Sequence, residues 1–526
     1  MKKTFAAALA ALFLAAAPAA AQEWPSFNWP WKKDANGTIV TQTPERPAGQ
    51  QHALGLTVPK MESVRVAFVG LGMRGPGAVE RWTHIPGIQV TALCDYVEAR
   101  ATGCQNILRK AGLPPAAIYS GEEGYKELCK RADVDVVYIA TDWLHHFPVA
   151  KFALENGKHV AIEVPSAMDL NECWQLINLS ESKRLHCMLL ENCCYDFFEL
   201  NALNMAQNGV FGEVLYAQGA YRHDLTQFWD WYWKKDPQDK LGWRLEYNKR
   251  YRGDVYATHG LGPVAQCLDI HRGDKMQTLV AMDTKSVHGK QLVEKATGQP
   301  CNDFRNGDHT TTLISTKNGK VIEIQHNVMN PQPYSRMFQL NGTKGFANKY
   351  PVEGYAVEAG AFAASGIAPS NDNLSGHEFL NEQDRAALEA KYKSPIAAKY
   401  EEMAKKVGGH GGMDFIMDAR FVYCLQNGLP LDIDVYDLGE WCCLAELGTL
   451  SMDNGNAPVE VPDFTRGHWN DKQGYRHAWA SPEDEAQAAA KAEAFTAKLK
   501  AGAEKLWKKY DKEQAKKAKK AAKAKK

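Results

Sequence analysis

Gly70-Leu-Gly72-Met-Arg-Gly75 follows the apolar run Val64–Val69 and opens a segment with helical spacing. Asp95 ends the next apolar run, Ile88–Cys94. Few folds accommodate this order of strand, glycine turn, helix, strand and acid. Gly70 permits the tight turn, Gly72 lets a pyrophosphate approach the backbone, and Gly75 lets the helix pack on the strand. The free N–H groups at the helix start suit phosphate oxygens. Asp95 is placed to accept a hydrogen bond from a ribose 2′-hydroxyl and to repel a 2′-phosphate, so NAD is expected over NADP. A ligand-free glycine turn is the plainer alternative, and the agreement of so many parts argues against it.

Beyond this start, short buried strands alternate with helical patterns. Val134–Ala140, His159–Glu163 and His186–Leu190 read as further strands, with helices over Pro148–Asn156 and Leu170–Lys183. That alternation predicts a doubly wound parallel sheet. The second half changes period. Glu213–Tyr221, Gln277–Ser286, His309–Lys317, Lys320–Asn327 and Met337–Leu340 alternate apolar and polar residues, and Asn318-Gly319 marks a hairpin turn. Leu261–Ile270, Asp414–Gln426 and Tyr436–Leu450 read as helices. The expected fold class is α/β: an N-terminal Rossmann sheet, then a C-terminal α+β domain with a large, mostly antiparallel open sheet. The expected divisions are a signal peptide over 1–21, an arm over 22–62, a nucleotide-binding domain over 63–192, an α+β domain over 193–465, and an extension over 466–526. This extension ends in a helical basic tail.

Composition narrows the partners. Lys+Arg and Asp+Glu both number 62, so nothing global calls for nucleic acid. Lys2 and Lys3, an apolar stretch to Ala17 and the Ala19-Ala20-Ala21 site read as a Sec-type export signal cleaved after Ala21, which predicts a secreted or periplasmic protein. No later segment reads as membrane-spanning. The 12 cysteines show no metal or disulfide spacing and read as small buried hydrophobes. His410 and Asp414 are four apart, but two ligands make no site and no metal is expected. The Ala- and Lys-rich tail reads as solvated rather than as a membrane or polyanion contact.

Two clusters carry candidate chemistry. Trp143, Leu144, His145 and His146 follow the strand ending near Thr141, where open α/β sheets bind ligands. Trp143 is placed to stack on the cofactor and His146 to donate to it; packing residues are the alternative. Tyr256 and His259, three apart, are able to line one wall of a cleft and together move a proton on and off a hydroxyl; a satisfied structural histidine is the plainer alternative. Tyr195 is a second candidate acid or base.

A nucleotide domain followed by an open sheet resembles the Gfo/Idh/MocA oxidoreductases over roughly residues 63–465. Those proteins carry Glu-Lys-Pro after the fifth strand; Glu163-Val164-Pro165 here lacks the lysine, which argues against ordinary dehydrogenation. Six stretches resemble glycoside hydrolase family 109, the NAD-dependent α-N-acetylgalactosaminidases. They are Gly70–Gly75, Trp143-Leu-His-His146, Glu163-Val-Pro165, Glu191-Asn-Cys-Cys-Tyr195, Tyr256-Ala-Thr-His-Gly-Leu-Gly-Pro263 and Gly408-Gly-His-Gly-Gly-Met-Asp414.

The resemblance implies NAD contacts at Met73, Arg74, Asp95, Trp143 through His146, Glu163, Val164 and Asn192, besides the three glycines. It implies sugar contacts at Tyr221, Arg244, Tyr256, Ala257, Thr258, His259 and Tyr334, with Arg250 and Arg252 close to Arg244 in the chain and the aromatic, lysine-rich Trp229–Lys240 just before it. It also implies a mechanism. NAD transiently oxidises C3 of the sugar, the C2 proton is lost, the C1 substituent is eliminated, water adds, and the hydride returns, with net retention. Tyr256 or His259 would serve the C3 hydroxyl; Tyr195, with Glu163, would serve C2 or the leaving group. The expected partner is a small-molecule or glycan substrate, with a homo-oligomer through the open sheet as a further expectation. A sugar dehydrogenase and a non-catalytic NAD-bearing carbohydrate-binding protein are the rival readings.

Overall fold

The computed structural model describes residues 24–226, 241–371 and 374–524. The export signal and the Trp229–Lys240 stretch lie outside the described residues. The first sheet has six parallel strands, in the spatial order Ala117–Ser120, Ile88–Asp95, Val64–Val69, Val136–Ile139, His159–Ile162, Cys187–Leu189. The order reverses between Val64–Val69 and Val136–Ile139, and a ligand crevice belongs at the C-terminal ends of such a pair. Five of these strands are the ones expected. Ala117–Ser120 is the sixth, a four-residue edge strand with no fully buried residue and so no apolar signature.

The helix after Val136–Ile139 differs from expectation in its start. It spans Trp143–Glu155, with Pro148 inside, and Asp142 caps it by accepting from the His145 N–H at 3.2 Å. The expected start at Pro148 is therefore five residues late. Trp143 is thereby the first helical residue, just beyond the C-terminal end of Val136–Ile139.

The second sheet has ten strands. Its centre is Met276–Asp283, Thr310–Thr316, Val321–Asn327 and Val214–Arg222, extended by Gln339–Gly342, Gly345–Asn348 and Gly354–Val357 on one side. Trp31–Lys33, Ile39–Thr41 and Val459–Glu460 extend the other side. Pairing is antiparallel except for Val321–Asn327 with Val214–Arg222 and Val459 with Ile39. Gly319 turns the expected hairpin with φ +82°.

The helix Thr258–Cys267 lies directly on Val214–Arg222. A Cβ on Gly260 would fall 2.3 Å from the Ala220 nitrogen, and one on Gly219 would fall 2.1 Å from the Gly260 oxygen. Only glycine at both positions lets helix and strand touch backbone to backbone, which brings Tyr221 and His259 onto one wall. The expected helix Tyr436–Leu450 is two helices, Val435–Cys442 and Leu444–Asp453, meeting at Cys443. All 12 cysteines are buried and unbridged. A 43-residue helix, Pro482–Ala524, closes the described chain; it docks on the first domain through Trp507, whose indole donates to the Leu113 oxygen at 2.8 Å. Among the described residues, no helix is long and apolar enough to cross a membrane.

Candidate active site

The glycine turn is built as a cradle. Gly70 has φ +91°, and a Cβ there would meet the Ala140 carbonyl carbon at 2.4 Å. A Cβ on Gly75 would sit 2.0 Å from the Gly70 oxygen, so the helix Arg74–Trp82 packs onto the turn only with glycine. Above Gly72 the space is open, with only the Arg100 guanidinium 3.7 Å from a Cβ placed there. The helix start has neither a side-chain cap nor an acidic residue in its first turn. Its first N–H groups are thus left without a side-chain cap or a competing carboxylate, the condition for an anion site. Asp95 accepts from the Leu71 N–H at 2.6 Å and the Val97 N–H at 2.8 Å. It thereby fixes the turn, and its carboxylate retains acceptor capacity for a ribose hydroxyl. These residues fit a dinucleotide.

Beneath the cradle, Arg74 joins three parts of the chain. It donates to Glu163 at 3.3 Å and to Asp414 at 3.2 Å, and lies 3.1 Å from His410 Nδ1. Glu163 also accepts from the Tyr138 hydroxyl at 3.1 Å. Asp414 accepts from the Asn192 amide at 2.6 Å and contacts His410 at 2.9 Å. Burial alone would raise the Asp414 pKa, but Arg74, His410 and Arg81 hold its carboxyl well below the usual range. The Gly408–Asp414 motif is thus the anionic partner of the cofactor loop. Glu163, Asn192 and Arg74 share one network, whereas Met73 stays exposed at the rim.

The opposite wall is aromatic and imidazole-rich. Trp143 stacks on Tyr256, with ring centres 5.3 Å apart and planes at 27°. The Arg244 guanidinium lies 5.0 Å from each of these two rings. Tyr221 packs 4.7 Å from Tyr256 and 5.2 Å from His259, and its hydroxyl is 3.2 Å from His223 Nδ1. Tyr334 closes the far side, edge-on to His223 at 4.8 Å. Burial, with Arg244 and His259 adding to it, pushes the His223 pKa down to about 4, so this ring is neutral. Burial and the neighbouring Tyr221 push the Tyr256 hydroxyl well above its usual value.

Sequence reasoning passed over Glu191. Its Oε1 lies 2.6 Å from His259 Nδ1, and the carboxylate is fully buried. Burial alone would raise its pKa; His259, Thr258 and the Cys193 N–H hold it below the usual value, so it is ionised. A buried carboxylate on Nδ1 fixes the ring and leaves Nε2 for other work. Gly262 makes room for it, since a Cβ there would fall 3.0 Å from Glu191 Cγ. Nothing in the chain's periodicity marks Glu191, because its partner lies 68 residues away.

Other expected residues lie elsewhere. The Tyr195 hydroxyl is 3.2 Å from Asp432, which pairs with Arg420 at 2.7 Å. This buried cluster does not include Tyr256 or His259. His146 has Nδ1 at 2.7 Å from the Pro165 oxygen and Nε2 at 3.2 Å from the Thr141 oxygen, so both nitrogens face backbone. His145 is exposed and pairs with Asp142 at 2.7 Å. Leu144 and Val164 are buried. Ala257 and Thr258 are buried at the start of the helix that carries His259.

Comparison with known proteins fits this architecture. Residues 64–190 match the Gfo/Idh/MocA oxidoreductase family with its NAD-binding Rossmann fold, and residues 195–471 match the glycosyl hydrolase 109 C-terminal domain. Glycosyl hydrolase family 109 protein 5 of Phocaeicola vulgatus is 70% identical over 489 residues, 93% of this chain and 94% of the relative. A family 109 protein of Bacteroides thetaiotaomicron is 61% identical over 443 residues, 84% of this chain and 93% of the relative. Among solved structures, levoglucosan dehydrogenase in complex with NADH and levoglucosan matches with TM-score 0.54 and 17% identity, over 76% of this chain and 100% of that one. An oxidoreductase from Agrobacterium radiobacter in complex with NAD+ matches with TM-score 0.52 and 16% identity, over 76% of this chain and 98% of that one. The two structural likenesses speak for the fold alone. With its NAD-binding Rossmann domain and the family's C-terminal domain joined as described, the chain belongs to glycosyl hydrolase family 109.

Proposed function

We propose that the protein hydrolyses terminal α-linked N-acetylgalactosamine, or a closely related sugar, with retention and with NAD as a resident cofactor. The observation that carries this reading is the stack of Trp143 on Tyr256. It joins the nucleotide domain's crevice to the wall that bears His259, Tyr221 and Arg244. When bound in the Gly70–Gly75 cradle, NAD would supply reversible oxidation of a sugar hydroxyl carbon, which acidifies the neighbouring C–H.

The chain's own residues hold the sugar and handle the proton of its hydroxyl. His259, oriented by Glu191, takes the proton from the sugar hydroxyl and returns it at the end of the cycle. Tyr256 shares that hydroxyl and keeps its own proton, because burial disfavours the phenolate. Arg244 and Tyr221 orient the ring from below, and Tyr334 borders the entrance. Glu163, paired with Arg74 at the first helical residue after the glycine turn, would help hold the cofactor there. Tyr195 is not used, because its hydroxyl serves Asp432. Val164 in place of lysine removes the usual base of a dehydrogenase, which favours hydrolysis over net oxidation. We also place the protein outside the cytoplasm on the strength of its first 21 residues.

Deuterium tracing tests the reading. Turnover of an aryl α-N-acetylgalactosaminide in heavy water is expected to leave deuterium at C2 of the released sugar. Product without C2 label would mean direct displacement and would overturn the proposed route.

A further inference from the structure

Among the described residues, three clusters hold enough His, Cys, Asp or Glu to ligate a metal. Glu191, Cys193 and His259 belong to the site above. His271, Asp437 and Glu440 already enclose a cation, since Arg272 donates to both Asp437 oxygens at 3.0 and 2.8 Å. The third cluster, His52, His468 and Asp471, is different. No arginine or lysine forms an ion pair with Asp471 among the described residues; its partner is His468 Nδ1 at 2.7 Å. The His52 and His468 rings lie 4.3 Å apart, tilted by 37°. His52 Nδ1 is buried with no hydrogen-bond partner. The donor atoms of all three residues lie within 4.8 Å of one another.

Their segments are far apart in sequence yet rigidly held. Arg184 donates to the His52 oxygen at 2.7 Å and the Gln51 oxygen at 3.2 Å, and the Ala53 N–H donates to the Tyr436 hydroxyl at 2.8 Å. On the other side, Asp463 accepts from the Thr465 N–H at 2.9 Å and the Gly467 N–H at 2.8 Å. The Asp471 N–H closes the turn on the His468 oxygen at 3.1 Å. Two imidazoles held 4.3 Å apart and tilted by 37°, with a carboxylate beside them, form a preorganised donor set.

We propose that His52, His468 and Asp471 bind a zinc-class divalent ion that clamps the N-terminal arm to the loop following residue 463. Two imidazole nitrogens and a carboxylate suit zinc rather than magnesium or calcium, which take oxygen ligands. Three protein ligands leave a fourth position for water, and the half-exposed Asp471 lies on the solvent side. The site is remote from the sugar wall in sequence and shares no residue with it, so its role is to hold the arm.

The test uses the full chain stripped with EDTA, with zinc and then cobalt as probes. The wild type is expected to take up about one zinc per chain, to show the visible bands of nitrogen- and oxygen-ligated cobalt, and to melt higher with zinc than without. His52→Ala and His468→Ala are expected to lose the uptake, the bands and the zinc-dependent rise while keeping the metal-free melting point. Where an alanine variant does not fold, Asp471→Asn, at the exposed rim, is expected to weaken uptake at least tenfold. A wild type that binds no zinc, or variants that bind as much as it does, would overturn the site.

Discussion

Among single residues, His259 depends most on the carboxylate behind it. Glu191 is buried, ionised and 2.6 Å from His259 Nδ1, so Glu191→Gln removes the charge that orients the ring without opening a cavity. Glu191→Gln is expected to lower kcat on the order of 100-fold and to shift the acidic limb of the pH–rate profile, with NAD affinity unchanged. An unshifted profile would reduce Glu191 to packing. Asp414 anchors both Arg74 and Arg81, at 3.2 and 3.6 Å. Asp414→Asn leaves two guanidinium groups short of a partner and is expected to cost about 3 kcal/mol in a denaturant melt, with weaker NAD binding. Asp254 sets a pH trend. Burial lifts its pKa from 3.8 to about 7, so the folded state resists its ionisation. Stability from this group falls as pH rises from near 4 through about 7. Asp254→Asn is expected to flatten that fall in melts taken across this window.

At the scale of elements, the glycines decide which side chains meet. Gly260→Ala puts a methyl group 2.3 Å from the Ala220 nitrogen, so the helix Thr258–Cys267 must lift from its strand. The expected result is a loss of about 1–3 kcal/mol in stability. A larger fall in kcat/KM should accompany it than for an alanine at the open Gly502 position. The cradle and its strands were legible in the sequence because their logic is local: a turn, a helix start and an acid within one unit. Trp143 stands out by position, whereas proline reads as a boundary and puts the expected helix start at Pro148, because the Asp142 cap leaves only a weak mark. The short edge strand Ala117–Ser120 and the strands Trp31–Lys33 and Ile39–Thr41 carry too few residues for a period-two pattern to appear. Glu191, the Arg74–Asp414 pair and the displacement of Tyr195 toward Asp432 depend on contacts between distant segments, which no window of sequence reports.

At the scale of the whole molecule, two sheets divide the labour. The parallel sheet presents the cradle at its switch point, and the ten-stranded sheet, through one helix laid on one strand, presents His259 and Tyr221. The Arg74–Asp414–Asn192 network ties the two halves together beneath the crevice, so binding of the cofactor should stabilise the whole chain rather than one lobe. NAD is expected to raise the melting temperature in a single cooperative transition; two separate transitions, only one of them shifted, would show that the halves act independently. In the proposed cycle the cofactor is restored at every turn. This restoration is tested most directly by following, in one cuvette, phenol release from an aryl α-N-acetylgalactosaminide and the absorbance of reduced nicotinamide. The account predicts many equivalents of phenol per enzyme with no accumulating reduced cofactor; reduced cofactor rising in step with sugar consumed, or phenol release undiminished after NAD is stripped, would contradict it.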